Sequence, residues 1–238
     1  GDGIAIRTHD AFITVDGGSS DVKNVGKYRI IPFIKYKGIR AIDYAIISHL
    51  DNDHVSGVRE LLEQSDNGGI KVRNIVLPKL LNKDDEYVEM EKLAHAMGVE
   101  VLYLKNGDSI EAGPLKIKCI NPDIKNQMDD KNDNSTVLDV KYKNFSMLLT
   151  GDISSEVENN IEKNLAQKYT VLKVPHHGSR FSSSEKLLSK VSPKYSVISC
   201  GEGNSYGHPH IETIDRLNMH NTEILRTDLI GEIDFRME

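Results

Sequence analysis

An α/β fold of two mixed β-sheets flanked by helices is what this sequence predicts, on three observations. Apolar runs of about four to eight residues alternate with amphipathic stretches almost from end to end. The middle of the chain, Gly107 to Tyr142, carries strand patterns but no convincing helical one. That departs from a strict βαβ repeat and points away from a doubly wound parallel sheet. Third, 238 residues with 38% in the apolar set suffice to bury a core without staples, and no linker or internal repeat is visible. A single domain spanning 1–238 is the expectation.

The strands are read in order from those runs. Ile4–Arg7 is a short first one, and Phe12–Val15 is a clearer one that breaks at Asp16-Gly17-Gly18. Ala45–Ser48 ends on His49, and Ile75–Leu77 and Val101–Leu104 follow. Leu115–Ile120, Val137–Tyr142 and Phe145–Leu149 come next, the last running into Thr150-Gly151-Asp152. Val171–Val174 leads into Pro175-His176-His177, and Tyr195–Ser199 leads into Cys200-Gly201. Glu223–Arg226 and Glu232–Phe235 close the chain. Between them, apolar residues recur at helical spacing: Val58, Leu61 and Leu62; Tyr87, Met90, Leu93, Ala94 and Met97, with Gly98 suited to end the helix. Val157, Ile161 and Leu165 repeat likewise, then Leu187, Leu188 and Val191, then Ile211, Ile214 and Leu217. Each stripe reads as core packing. Asn121 to Asn134 reads as a long loop, and long loops in compact domains are often functional.

Composition narrows the function classes. Lys+Arg 30 against Asp+Glu 36 gives a formal charge of -6, which disfavours a basic coat that binds nucleic acid by charge alone. It leaves nucleic acid open as a substrate, because a bound metal supplies positive charge locally. Cys119 and Cys200 are too few for a disulfide framework and lie in apolar runs, so buried free thiols are expected. No apolar run approaches the ~18 residues of a membrane-spanning helix, and no direct membrane insertion by this chain is expected. The N-terminus lacks a signal-peptide pattern; opening on Gly1, the chain reads as an excised domain.

Six of the nine histidines fall in three short clusters, each after a strand-like run. Ser48-His49-Leu50-Asp51-Asn52-Asp53-His54 places four potential ligands just where a buried strand ends. Imidazole mixed with carboxylate suits zinc, manganese or iron better than magnesium alone. Gly151-Asp152 puts one carboxylate after another strand, where it is able to bridge two metals. In Pro175-His176-His177-Gly178-Ser179 adjacent histidines point in different directions, so one is expected to be a ligand and the other to touch substrate or orient a carboxylate. In the loop Asn204–His210, His208 is a candidate ligand or proton donor, and His210 opens a helix at the surface. His9, His95 and His220 have no such company. Nucleophilic-serine and phosphate-loop chemistry drop out: the chain has neither a Gly-x-Ser-x-Gly elbow nor a Gly-x-x-x-x-Gly-Lys loop.

Taken together, strand-Asp-Gly, His-x-Asp-x-Asp-His, Gly-Asp and His-His-Gly-Ser resemble the metallo-β-lactamase superfamily. More narrowly, they resemble the C-terminal hydrolase domains of ComEC-type DNA-internalisation proteins, through Ile46–Gly57, Asn132–Ser135, Leu149–Asp152, Lys173–Ser179 and Asn204–Pro209. The resemblance spans nearly the whole chain. It implies an αββα sandwich with two divalent metal ions, zinc or manganese. It also implies that His49 serves one metal, Asp53 and His54 the other, that Asp152 bridges, and that one of His176 and His177, here His177, completes the second site. Asp51 stands where the broad superfamily has His. The middle-motif histidine is absent, and Asn134 is the candidate in its place, a weaker ligand that favours a harder metal such as manganese.

The expected function is therefore a metal-dependent hydrolase, a phosphodiesterase or nuclease acting on DNA in competence-type uptake. Asp53 would orient or deprotonate the attacking water, and His208 or His176 would protonate the departing oxygen. Arg180 and Lys173, read as surface cations, are phosphate-contact candidates. Hydrolysis of a small phosphodiester is the alternative, with a non-catalytic metal-binding module as the contrasting class. By resemblance, two settings are open: an extracytoplasmic or cell-surface part of a bacterial membrane protein with a channel domain, or a freestanding secreted or cytoplasmic homologue.

Overall fold

The apolar runs form two mixed sheets, as the sequence predicts. In this computed structural model residues 1–64 and 69–237 are described. They divide into two units, Gly1–Leu104 and Lys105–Glu238, each holding one sheet.

The first unit's sheet has the order β1 (Ile4–Arg7), β2 (Phe12–Val15), β3 (Ala41–Ile46), β4 (Lys71–Pro78), β5 (Glu100–Leu104). β1 and β2 are antiparallel and the remaining pairs parallel. Parallel neighbours need crossovers, usually helical, and α1 (Ile31–Tyr36), α2 (Asn52–Glu63) and α3 (Asp85–Ala96) supply them. Their apolar stripes bury Ile34, Leu61, Leu62, Tyr87 and Met90 against Ile42 and Ile75. The Asp84 side chain caps α3 by accepting from the Tyr87 amide, and Gly98 follows it at φ +65°.

The second unit's sheet runs β12 (Glu223–Arg226), β11 (Tyr195–Ile198), β10 (Val171–Lys173), β9 (Phe145–Leu149), β8 (Val137–Tyr142), β7 (Leu115–Asn121), β6 (Ser109–Ala112). The helix-free middle is its antiparallel half, β6 to β9. Its parallel half, β9 to β12, is crossed over by α4 (Ser155–Ile161), α5 (Glu185–Val191) and α6 (Ile211–Met219). Leu148, Val157, Leu172, Leu187, Leu188, Ile198 and Leu217 share its core. Cys119 and Cys200 are buried free thiols, and burial pushes both up, Cys200 to about 11.

Three expectations need correction. Glu232–Phe235 is not a strand: regular structure ends with α7 (Thr227–Ile230). Its alternation is real but arises because Phe235 packs on Phe145 and Tyr195 without joining a ladder. Ile211 does not face the core; it sits exposed at the start of α6, while Leu217 is fully buried. The strand before His49 ends at Ile46; the Ile47 amide still donates to the Val76 carbonyl of β4 at 2.9 Å, and the Ser48 amide turns to Asp16.

Candidate metal-ligand clusters

In the first unit the chain leaves β2 and β3 side by side, and the two strand ends share one hydrogen-bond network. Asp16, Ser48, His49 and His54 are all buried. Asp16 accepts from the Ser48 amide at 2.7 Å and from the Ser48 hydroxyl at 2.7 Å. Its Oδ2 also lies 2.9 Å from His54 Nδ1. A hydroxyl has one hydrogen, and Asp16 takes it, so at 3.0 Å His49 Nδ1 is the donor to Ser48 Oγ. Both rings thus carry their proton on Nδ1 and present Nε2 as a lone pair, the arrangement that metal-ligating histidines adopt.

The carboxylates gather around those nitrogens. Asp51 Oδ2 lies 3.8 Å from His49 Nε2, and Asp53 Oδ2 lies 3.7 Å from His54 Nε2. Asp51 occupies the N-cap position of α2, yet its side chain makes no capping bond, so a mere helix start does not explain it. Asp53, in the first turn, sits where the helix dipole favours an anion. Close backbone approach sets this geometry: a Cβ on Gly18 would lie 2.6 Å from the His54 amide, and one on Gly57 2.2 Å from the Gly17 carbonyl. Asp2, given no role by the sequence, is buried and offers an oxygen within 4.8 Å of the ligand atoms of Asp16 and His54.

In the second unit the ends of β9 and β10 do the equivalent work. Asp152 Oδ2 lies 3.1 Å from His177 Nε2, and the His177 Nδ1 proton is donated to the Ser199 carbonyl at 2.9 Å. Two electron-rich ligand atoms at that separation call for a cation or a proton between them. His176 and His177 achieve their directions with left-handed backbone, φ 49° and 53°, a conformation that costs non-glycine residues of order 1–3 kcal/mol each and clusters at functional sites. His177 turns to Asp152. His176 turns to His208, ring centroids 5.7 Å apart.

Lys173 corrects the sequence reading outright. It is buried, not a surface cation, because β10 is a central strand of the sheet. Its ammonium donates to the Gly151 carbonyl at 2.9 Å and to Asp152 Oδ1 at 3.3 Å. Arg180 is exposed and pairs with Glu212 at 3.1 Å. Asn134 spends its carboxamide on the loop, accepting from the Met128 amide and donating to the Met128 and Asp130 carbonyls. Within that motif it is Ser135 that reaches Asp152, its hydroxyl accepting from the Asp152 amide at 3.2 Å. Asp133 holds the Ser154 amide and hydroxyl ahead of α4. Sequence reasoning missed Ser135 and Ser199; a serine hydroxyl and a backbone carbonyl carry no compositional signal.

His208 is half-buried against His176, His177 and His210. Burial first, then those three rings, pushes it down to about 4, with Asp152 opposing. At neutral pH it is an uncharged imidazole. His210 begins α6 and is half-buried, accepting from the Arg180 amide. His9 and His95 are exposed, and His220 pairs with Glu185 at 2.7 Å.

Histidines whose Nδ1 is anchored, carboxylates at their Nε2, and two mixed sheets whose strand ends carry both define a metal-binding α/β protein. The sequence profile of the "Metallo-beta-lactamase superfamily" matches residues 4–202. The chain belongs to this superfamily, whose fold binds divalent metals, usually two. It is 33% identical over 216 residues to "ComE operon protein 3" of Bacillus subtilis (strain 168), covering 90% of this chain and 27% of that protein. It is 30% identical over 234 residues to "Competence protein ComA" of Neisseria gonorrhoeae, covering 98% and 30%. The chain therefore spans less than a third of the length of these relatives. Among solved structures, the metallo-β-lactamase fold protein YhfI from Bacillus subtilis shares the fold: TM-score 0.61, 12% identity, covering 94% of this chain and 88% of that one.

Proposed function

We propose that the chain is a metal-dependent phosphodiesterase that cleaves DNA, its two units acting as one hydrolase domain over residues 1–238. The observation that carries the metal reading is the 3.1 Å approach of Asp152 Oδ2 to His177 Nε2, with the opposite ring nitrogen already committed to Ser199. His49 and His54 are anchored in the same sense. The donor set of imidazole Nε2 and carboxylate fits zinc or manganese. Following the superfamily pattern, His49, Asp51, Asp53, His54, Asp152 and His177 are the residues that would supply metal ligands. The competence proteins among the relatives support DNA as the substrate.

Bound divalent metals would supply charge neutralisation at the phosphate and a water acidified toward a pKa of ~7. The chain's own residues do the rest. Asp16 and Ser48 fix the His54 and His49 tautomers, and Lys173 and Ser135 hold Asp152 in one orientation. Asp53 accepts the proton of the attacking water. His208, neutral at rest, acts as a hydrogen-bonding partner for the departing oxygen; it becomes a proton donor only once an anionic phosphate raises its pKa. His176, ring to ring with His208, stands beside it for the same purpose.

The test compares plasmid and single-stranded DNA with bis(p-nitrophenyl) phosphate, using protein loaded with manganese or zinc. Cleavage of DNA that chelation abolishes is expected. Metal-replete protein that hydrolyses the small diester and leaves both forms of DNA intact would overturn DNA as the substrate.

A further inference from the structure

We infer that Phe181 and Tyr206 form a stacking platform for unpaired nucleotide bases, so that this chain takes its nucleic acid as a single strand. The inference rests on the DNA reading above and deepens it.

Phe181 is 71% exposed and Tyr206 68%, yet neither rides on a loose loop. The turn that carries Phe181 is tied down at nearly every backbone group. Its own carbonyl accepts from the Ser155 amide at 3.0 Å. The buried Glu158 carboxylate accepts from the Ser183 and Ser184 amides at 2.5 and 2.8 Å. Arg216 donates to the carbonyls of Arg180, Ser182 and Ser183 at 3.1, 2.8 and 2.9 Å. A buried carboxylate and a guanidinium are thus devoted to holding a turn whose most apolar side chain points into water. Packing gains nothing from that arrangement. A ligand with a flat apolar face does.

Tyr206 is held by a second device. Asn204 donates to the Gly201 and His208 carbonyls and accepts from the His208 amide, closing a loop in which the tyrosine ring lies stacked over His208, centroids 5.8 Å apart and planes 20° apart. The Arg180 amide donates to His210 Nδ1 at 3.2 Å, tying the Phe181 turn to this histidine group. Tyr206 thus stacks on His208, and the Phe181 turn is bonded to His210, whose ring centroid lies 4.9 Å from that of His208. Arg180, roughly half exposed beside Glu212, keeps donors for a backbone phosphate. Stacking on aromatic rings beside a cation is how sequence-tolerant proteins hold single strands, and a duplex hides its base faces from such rings.

The experiment is fluorescence anisotropy with metal-loaded protein and a phosphorothioate-linked oligothymidine of about 12 nucleotides, which resists cleavage. Phe181→Ala and Tyr206→Ala are each expected to weaken binding about 5- to 100-fold, the range measured for losing one stacked base. Phe181→Trp should bind as well as wild type, which separates loss of a ring from damage to the turn. A blunt duplex should shift less than twofold in all variants. Single-strand affinity unchanged within twofold in both alanine variants overturns the platform and leaves the DNA-cleavage reading standing if wild type still cuts DNA. Wild-type protein that hydrolyses bis(p-nitrophenyl) phosphate but does not bind the oligonucleotide overturns both.

Discussion

The two ligand clusters, one in each unit, solve the same problem with opposite electrostatics. In the first, the anchor behind His54 is the Asp16 carboxylate, and Asp51 and Asp53 stand at the ligand nitrogens. The Gly1 ammonium lies 3.6 Å from Asp53 Oδ2. In the second, the anchor behind His177 is a neutral carbonyl, and Asp152 is already neutralised by the buried ammonium of Lys173. The first cluster thus anchors its histidine on a carboxylate. The second anchors its histidine on a neutral carbonyl and holds its carboxylate with a buried ammonium.

Four substitutions or titrations break or sharpen that contrast. Asp152→Ala removes the one carboxylate of the second cluster; activity should fall at least ~1,000-fold and metal content should drop, measured by elemental analysis. Metal content unchanged by that substitution contradicts the bridging assignment.

Lys173→Met comes next. Removing one partner of a buried ion pair costs about 3–5 kcal/mol, so metal-free protein should lose stability of that order in urea unfolding. Metal should restore much of it by neutralising Asp152. A loss that metal leaves untouched would mean that Lys173 only packs.

Asp16→Asn keeps the shape and removes the charge behind His54. Partners of metal-bound histidines are worth roughly 10- to 100-fold in affinity, and calorimetric titration with manganese or zinc should show a weakening of that size. The contrast sharpens if the same titration on Ser199→Ala changes little, since a backbone carbonyl survives the substitution.

The smallest effect concerns His208. Its folded pKa, about 4, lies below the ordinary histidine value, so as pH falls the unfolded chain takes up a proton first. Its contribution to stability is intact above about 6.5 and drains away toward pH 4, at roughly 1 kcal/mol per pH unit at most. His208→Gln should flatten the fall in urea midpoint between pH 7 and 5; an identical fall would show that His208 is not the group responsible.

How legible was all this beforehand? Strand-forming runs were: Val137–Tyr142 and Phe145–Leu149 match to the residue, although Asp139 and Lys141 interrupt the first and the start of the second is only half-buried. Helix α1 was not, since Pro32 and Lys35 interrupt its run and Pro32 is tolerated only because it falls in the first turn. His49, Asp53, His54, Asp152 and His177 were visible as clustered ligand types after strands. What holds them was not: Ser199 acts through its backbone, Ser135 through a remote amide, and the left-handed turn at His176-His177 is a conformation that residue type does not announce. Lys173 was misread because a lysine in a short run looks like a strand's wet face, and only the sheet order shows it to be central.

The most direct test of the account is cleavage of a labelled single strand by metal-free protein, by the same protein reloaded with manganese or zinc, and by Asp152→Ala treated alike. Cleavage by reloaded wild type alone is the predicted result. Cleavage in the presence of chelator, or full activity in the Asp152 variant, would contradict it.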